Sequence, residues 1–204
     1  MLVTAQDNMK EPEKITQPTY NFDYKYSGYL QQYVDAISRS QDVWDMLDKG
    51  FEVLSYITRY KYILFLEQQG EFLGFPGGKP KPRGFRAPSS TEVGTELVQL
   101  IRDKIEANST EHLIRVNEIS HLPLKNLATH PGLGSALIAR LFNAEQGFDY
   151  GVIFFGCSDD RIHNTFEIDL IESLVSRVTE IFAKSKVLFE DGTLCGVSPI
   201  PWLR

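Results

Sequence analysis

The stretch that decides the fold is Tyr150–Val175, YGVIFFGCSDDRIHNTFEIDLIESLV. GVIFFG, 151–156, is short, apolar, aromatic and β-branched, which reads as a buried central strand. CSDDRIHN, 157–164, is polar and turn-forming. Asn164 or Thr165 then caps a helix running from Thr165 to about Lys184, whose apolar residues recur at helical spacing. Cys157 and His163 are the chemically conspicuous residues. Cys157 takes the place of a small hydrophobe at a strand end, beside Asp159 and Asp160, whose negative charge raises a thiol pKa, so it reads as structural filler. His163 lies just before the cap with no nucleophile or metal partner near it in sequence, and reads as a solvated side chain.

Working outward, SALIARLFNAEQGFDYGVIFFGCS, 135–158, holds two apolar runs around a turn at Glu145 to Gly147, a β-hairpin. SHLPLKNLATHPGLG, 120–134, is apolar but punctuated by proline and glycine, a connection that folds over something. EHLIRVNEI, Glu111 to Ile119, reads as a strand. Ser90 or Ser89 caps a helix carrying Val93, Leu97, Leu100, Ile101 and Ile105 on one face. YKYILFLEQQGEFLGF, 60–75, reads as a first hairpin, Tyr60 to Glu67 and Glu71 to Phe75. The following PGGKPKPRGFRAPSS excludes regular structure and reads as a surface loop.

Two helices precede the first hairpin. One places Tyr26, Tyr29, Leu30, Tyr33, Val34 and Ile37 on a stripe between Phe22 and Ile37. The other places Val43, Met46, Leu47, Gly50, Phe51, Leu54 and Ile57 on one face, after Ser38 and Gln41 in the pattern of a capping box. This order of helices and hairpins predicts an α+β domain: one antiparallel sheet, helices on one face and an irregular cap on the other. The expected organisation is a flexible arm over 1–21, the domain over 22–185, and a tail over 186–204.

With 204 residues, 42% hydrophobic and 24% charged, the chain has the makings of one domain with a core of its own. A net charge of −6 argues against a dedicated nucleic-acid binder and against general attraction to anionic membranes. Two cysteines, Cys157 and Cys195, make no disulfide framework and no metal-ligand spacing, and suit a reducing compartment. No apolar run approaches the roughly 18 residues of a membrane span, and the first residues lack the pattern of a signal peptide. The expected location is the cytoplasm.

The segment Ser135 to Ala183 resembles the closing part of a GAF domain, the small-molecule sensor module of signalling proteins. The resemblance rests on the hairpin ending in GVIFFG, the polar turn, Phe166, and the acidic start of TFEIDLIESLVSRVTEIFA. The order of elements upstream agrees, so that it covers Ser40 to Ser185. It implies a GAF-like central antiparallel sheet of about five or six strands with helices on one face and an irregular cap on the other. It also implies a non-enzymatic domain in intracellular signalling that senses a small molecule or a partner and answers through helix-mediated dimer or protein contacts. The alternatives are a thiol-dependent reductase of GAF type using Cys157, and a purely structural interaction domain whose pocket its own side chains fill.

Phytochrome-like GAF domains commonly attach a bilin through a Cys-His pair, but here Cys157 precedes Ser158 and Cys195 precedes Gly196, which argues against covalent bilin. The Asn-Lys pair of cyclic-nucleotide GAF domains is missing from HNTFEIDLIE, 163–172. Free methionine sulfoxide reductases, which also resemble GAF domains, rely on a pocket cluster of cysteines that two cysteines do not make.

In this family the connection before the second hairpin roofs the ligand pocket, which by resemblance makes His121, Leu122, Leu127, His130 and Leu133 the ligand-binding candidates. Their ordinary reading is a loop over the core, and two histidines fall short of a metal set. Lys79, Lys81, Arg83 and Arg86 form a basic loop with no acid to neutralise it. It reads as a solvated loop, or as a contact for an anion or an acidic partner, stiffened by Pro80 and Pro82. No P-loop accompanies it, since PGG is not followed by Lys-Ser/Thr and a helix. GAF helices often pair between protomers, and Tyr26, Tyr29 and Tyr33 with Leu170, Leu174, Val178 and Ile181 are the residues for such a homodimer.

Overall fold

A computed structural model describes residues 24–39, 43–69, 72–75, 83–87, 90–144, 147–159 and 164–190. The arm over 1–21, Lys79, Lys81, Asp160, His163, Cys195 and the end of the tail lie outside the described residues.

The strand read as central is central. β6 (Phe148–Cys157) pairs antiparallel along one edge with β1 (Tyr62–Gln69) and along the other with β5 (Ser135–Asn143). β4 (Leu113–Val116) continues the sheet beyond β5. The far edge of β1 is shared by β2 (Phe72–Gly74) and β3 (Arg83–Phe85), giving six strands in the order β2-β1-β6-β5-β4 with β3 also on β1. This is the α+β architecture expected from the order of elements. Because β6 is covered on both faces, its run is apolar throughout rather than alternating.

Alternate residues of β6 serve two cores. Ile153, Phe155 and Cys157 point to the face covered by α1 (Tyr24–Arg39), α2 (Val43–Ile57) and α4 (Thr165–Glu190). Val152 and Phe154 point to the other face, beneath α3 (Thr91–Ala107) and the irregular segment before β5. The cap therefore contains a helix as well as the irregular segment. On the first face α4 packs on α2 at Gly50, where a Cβ would stand in ordinary contact 3.4 Å from Leu174 Cδ1. The buried Tyr33 donates its hydroxyl to the Leu170 carbonyl at 2.5 Å, tying α1 to α4.

The structure corrects three local readings. Val34 is 50% exposed, because the buried side of α1 is centred on Tyr33 and Ala36 and its neighbour falls at the rim. Ser38 lies inside α1 and donates to the Val34 carbonyl at 2.7 Å, so it is no cap for α2. The proline-rich loop contains β3, since pairing with β1 supplies the hydrogen bonds that its local composition does not. Gly84 makes that pairing possible. Its φ is +149°, and a Cβ there would run into the Ile63 carbonyl oxygen and come within 2.6 Å of Leu64 Cα. Of the two serines offered as caps for α3, it is Ser90 that accepts the Val93 N–H, at 3.1 Å. No helix among the described residues is long and apolar enough to cross a membrane.

Gly84→Ala is expected to lower stability by about 1–3 kcal/mol, because backbone atoms cannot move aside for the new methyl group. Gly74→Ala, whose Cβ would meet nothing within 4 Å, should change it by less than about 0.5 kcal/mol. Urea unfolding midpoints of the two variants check the contrast.

Candidate functional site

The irregular segment is a closed loop. After Glu118, at φ 56°, the chain makes a 3-10 turn over Ile119–His121 and then returns to its starting point. The Ile119 N–H donates to the Gly134 carbonyl at 2.6 Å, and the Gly134 N–H donates to the Cys157 carbonyl at 2.7 Å. A loop of about 16 residues whose ends meet and whose own side chains fill it is an Ω-loop. It lies over the cap-side core as a roof.

Two side chains hold the roof down. Within it Leu124 to Ala128 make one helical turn, closed by Ala128 N–H to the Leu124 carbonyl at 2.9 Å. The free N–H groups at its start need acceptors. Glu96 of α3 supplies them: its carboxylate receives the Asn126 N–H at 2.8 Å and the Leu127 N–H at 2.5 Å. This is a helix cap delivered from another element, and bonds to a charged acceptor are worth about 1.5–3 kcal/mol each. On the opposite side, the Tyr62 hydroxyl donates to the Pro131 carbonyl, and the His130 ring meets Tyr62 edge-on with centroids 5.0 Å apart.

Of the five roof residues chosen from sequence, Leu127 and Leu133 are buried in the cap-side core, with Leu122 half-buried against it. His130 stands at the rim beside Tyr62, and its Nδ1 is buried with no hydrogen-bond partner among the described residues. His121 is not brought to the interior; it is exposed, with Nδ1 3.3 Å from the Glu118 carboxylate. Two glycines on this side lie tight against neighbouring side chains. A Cβ on Gly156 would overlap Leu133 and come within 2.9 Å of the Phe154 ring, and one on Gly94 would come within 3.1 Å of the Phe75 ring. Among the described residues no group of three or more His, Cys, Asp or Glu could hold a metal ion.

The basic loop is described only from Arg83. Arg86 is exposed, with its guanidinium 5.4 Å from the centroid of the Phe85 ring. Burial lowers the pKa of Lys61, and the positive charge of Arg86 lowers it further. The two cations therefore share one end of the sheet.

Cys157 ends β6 at 1% exposure, on the helix side of the sheet and not beneath the roof. Ser135 Oγ donates to the Asp159 carbonyl at 2.6 Å. Cys157 Sγ lies 2.9 Å from Ser135 Oγ, where either group can be the donor, and 3.6 Å from the Asp159 carbonyl. Burial is the main cause pushing the thiol pKa up; Ser135 opposes it, and Asp159 adds to it. The acidic neighbourhood seen in the sequence is thus the lesser cause.

Beyond Cys157 the turn leads to a centre that the sequence reading did not single out. Asn164 caps α4 by accepting the Glu167 N–H at 2.8 Å, and the Glu167 carboxylate reaches back to the Asn164 N–H at 3.4 Å, a capping box. Glu167 is only 2% exposed, and it also receives the Arg59 backbone N–H at 3.0 Å and Nη2 at 2.9 Å. Arg59 in turn stands 3.6 Å from Asp159. Burial pushes the Glu167 carboxyl up, but its bonds to Arg59 outweigh that and hold it below the ordinary carboxylate range. The spacing Asn164-x-x-Glu167 is a local signal for the capping box. Arg59, over a hundred residues away in sequence, has none.

No family model and no curated protein matches the chain. Solved structures do. The GAF domain of an Acinetobacter phosphoenolpyruvate-protein phosphotransferase superposes with a TM-score of 0.53 at 13% identity, covering 81% of this chain and 97% of that one. The chain has the GAF fold. Its fold is shared equally by a free methionine-R-sulfoxide reductase of Neisseria meningitidis solved with its substrate (TM-score 0.55, 13% identity, 82% and 96% covered). A phycoerythrobilin-bound GAF domain from a cyanobacterial phytochrome also superposes (TM-score 0.52, 11% identity, 82% and 100% covered). At such identities what the GAF-like domain shares with them is the fold.

The Arg59–Glu167 pair of this GAF-like domain gives a pH prediction. A carboxyl whose folded pKa is depressed stabilises the fold fully above its unfolded value and loses that contribution as pH falls through the folded one. As pH falls below the ordinary glutamate value of 4.5, stability should therefore drop with a component that is absent in Glu167→Gln. Arg59→Met should cost more than Glu167→Gln, because it leaves a buried charge without its partner, whereas Arg59 is 33% exposed and can rehydrate. Chemical denaturation between pH 3 and 7, on the order of the carboxyl range, checks both.

Proposed function

We propose that this GAF-like domain is a non-enzymatic sensor. It reads a partner protein or a small molecule in intracellular signalling and answers through helix-mediated contacts, as a homodimer or with a signalling protein. The fold by itself accommodates sensors, a bilin-bound domain and a reductase, so the choice rests on this chain's own residues. The placement of Cys157 carries it. A redox nucleophile must be a reachable thiolate, and this thiol faces the helix-side core, is 1% exposed and is engaged with Ser135.

Between the two inputs, the basic loop favours a partner protein. The basic loop Lys79, Lys81, Arg83 and Arg86 supplies the charge to meet an acidic partner. Among the dimer residues offered by the sequence, Tyr33, Leu170, Leu174 and Val178 serve the domain's own core. A homodimer therefore draws on exposed positions such as Val34 and Tyr56.

Protein purified from its own host and examined by native mass spectrometry is expected as a dimer of unmodified mass. A retained small molecule would move the reading to ligand sensing. Under native conditions iodoacetamide should leave the Cys157 peptide unlabelled. Reduction of free methionine sulfoxide that is lost on Cys157→Ser would replace the sensor with an enzyme.

A further inference from the structure

The roof and the α4 cap are joined by a line of hydrogen bonds and one ion pair. Its first member is Gly134, the last roof residue, which holds Ile119 through its carbonyl and Cys157 through its N–H, at 2.6 and 2.7 Å. The next residue, Ser135, grips the same stretch of chain from its side chain, at Cys157 Sγ (2.9 Å) and the Asp159 carbonyl (2.6 Å). The Asp159 carboxylate faces Arg59 at 3.6 Å, and Arg59 binds Glu167 at 2.9 Å. Glu167 closes the capping box of α4. Arg59 also follows directly on Thr58, whose N–H still bonds the α2 carbonyl of Leu54 at 2.9 Å, so the line reaches the end of α2 as well.

We propose that the roof and the first turn of α4 are coupled through Gly134, Ser135, Cys157, Asp159, Arg59 and Glu167, so that releasing the roof loosens the α4 cap and the reverse. Three features make this a relay rather than a row of independent bonds. Gly134 and Ser135 are adjacent residues that both bond the segment from Cys157 to Asp159, so the end of the roof cannot shift without dragging it. That segment carries the carboxylate facing Arg59. At the far end Glu167 is nearly fully buried, and a buried carboxylate that loses its cation is costly enough that the pair is either made or broken, with little between. Small displacements at one end are then amplified into a change of state at the other.

The relay deepens the sensor reading, on which it rests for its purpose, since it connects the covered face of the sheet to the helices that carry the output. Hydrogen exchange on the full chain, without ligand or partner, tests it. The roof is loosened by Glu96→Gln, which weakens the cap on Asn126 and Leu127, or by Tyr62→Phe, which removes the bond to Pro131. Either variant is expected to speed exchange at the Glu167 and Ile168 amides by about fivefold or more. Coupling is reciprocal, so Arg59→Lys is expected to speed the Ala128 and His130 amides by a matching factor. In a Ser135→Ala background, where Gly134 alone still holds Cys157, the roof variants should loosen the roof as before but speed the α4 amides less.

Acceleration confined to the mutated end overturns the relay, as does transmission that is undiminished in Ser135→Ala. An equal acceleration in the β5 and β6 amides also overturns it, because it marks global destabilisation. Should Arg59→Lys fail to fold, the two roof variants carry the test from the other end. A negative exchange result removes the relay and leaves the sensor reading standing. Methionine sulfoxide turnover removes the sensor reading and leaves the exchange result intact.

Discussion

β6 is bonded along both edges and buried on both faces, and the rest of the domain follows from that double constraint. A strand in this position has little surface to give to water, so from Tyr150 to Cys157 its residues are apolar or glycine, while Asp149 near its start pairs with Arg140. Its two faces need two covers. The long helices supply one. The other is assembled from α3 and the Ω-loop, and an irregular segment can cover a core only if its backbone polar groups find partners. Glu96, Tyr62 and the Ile119–Gly134 contact provide them for the roof.

The polar groups that accompany this burial are where the domain has switch-like character. Apolar packing resists in proportion to area, but a buried carboxylate is tolerated only while its partners are in place. Glu167 is the extreme case, with Arg59 and Asn164 sharing one carboxylate at the start of α4. Glu96 plays the corresponding part for the roof. One of these acids holds the cover and the other holds the start of α4. The same arrangement explains why Cys157, chemically the most conspicuous residue of its stretch, serves as a packed, hydrogen-bonded strand end.

The framework was legible because its signals are local. The apolar run of β6, the helical spacing in α2, α3 and α4, the Ser90 cap and the hairpin turn at Glu145 to Gly147 all depend on neighbours within a few residues. Misreadings occurred where the deciding partner is remote. β3 is hidden in a proline-rich loop because only its pairing with β1 makes it a strand. Val34 belongs by spacing to an apolar stripe, but the curvature of packing against α2 and α4 leaves it at the rim. His121 and His130 look equivalent in the sequence, and only the path of the Ω-loop puts one in water and the other against Tyr62.

The sequence by itself determined the α+β class, the central strand, the roofing segment and the resemblance to GAF domains, because periodicity and turn chemistry are properties of short stretches. Tertiary structure alone decided which polar groups act together. The joining of Arg59 to Glu167, of Glu96 to Asn126 and Leu127, and of Ser135 to Cys157 depends on chain segments distant in sequence. No local pattern encodes such pairings, since each becomes favourable only after folding has removed both partners from water.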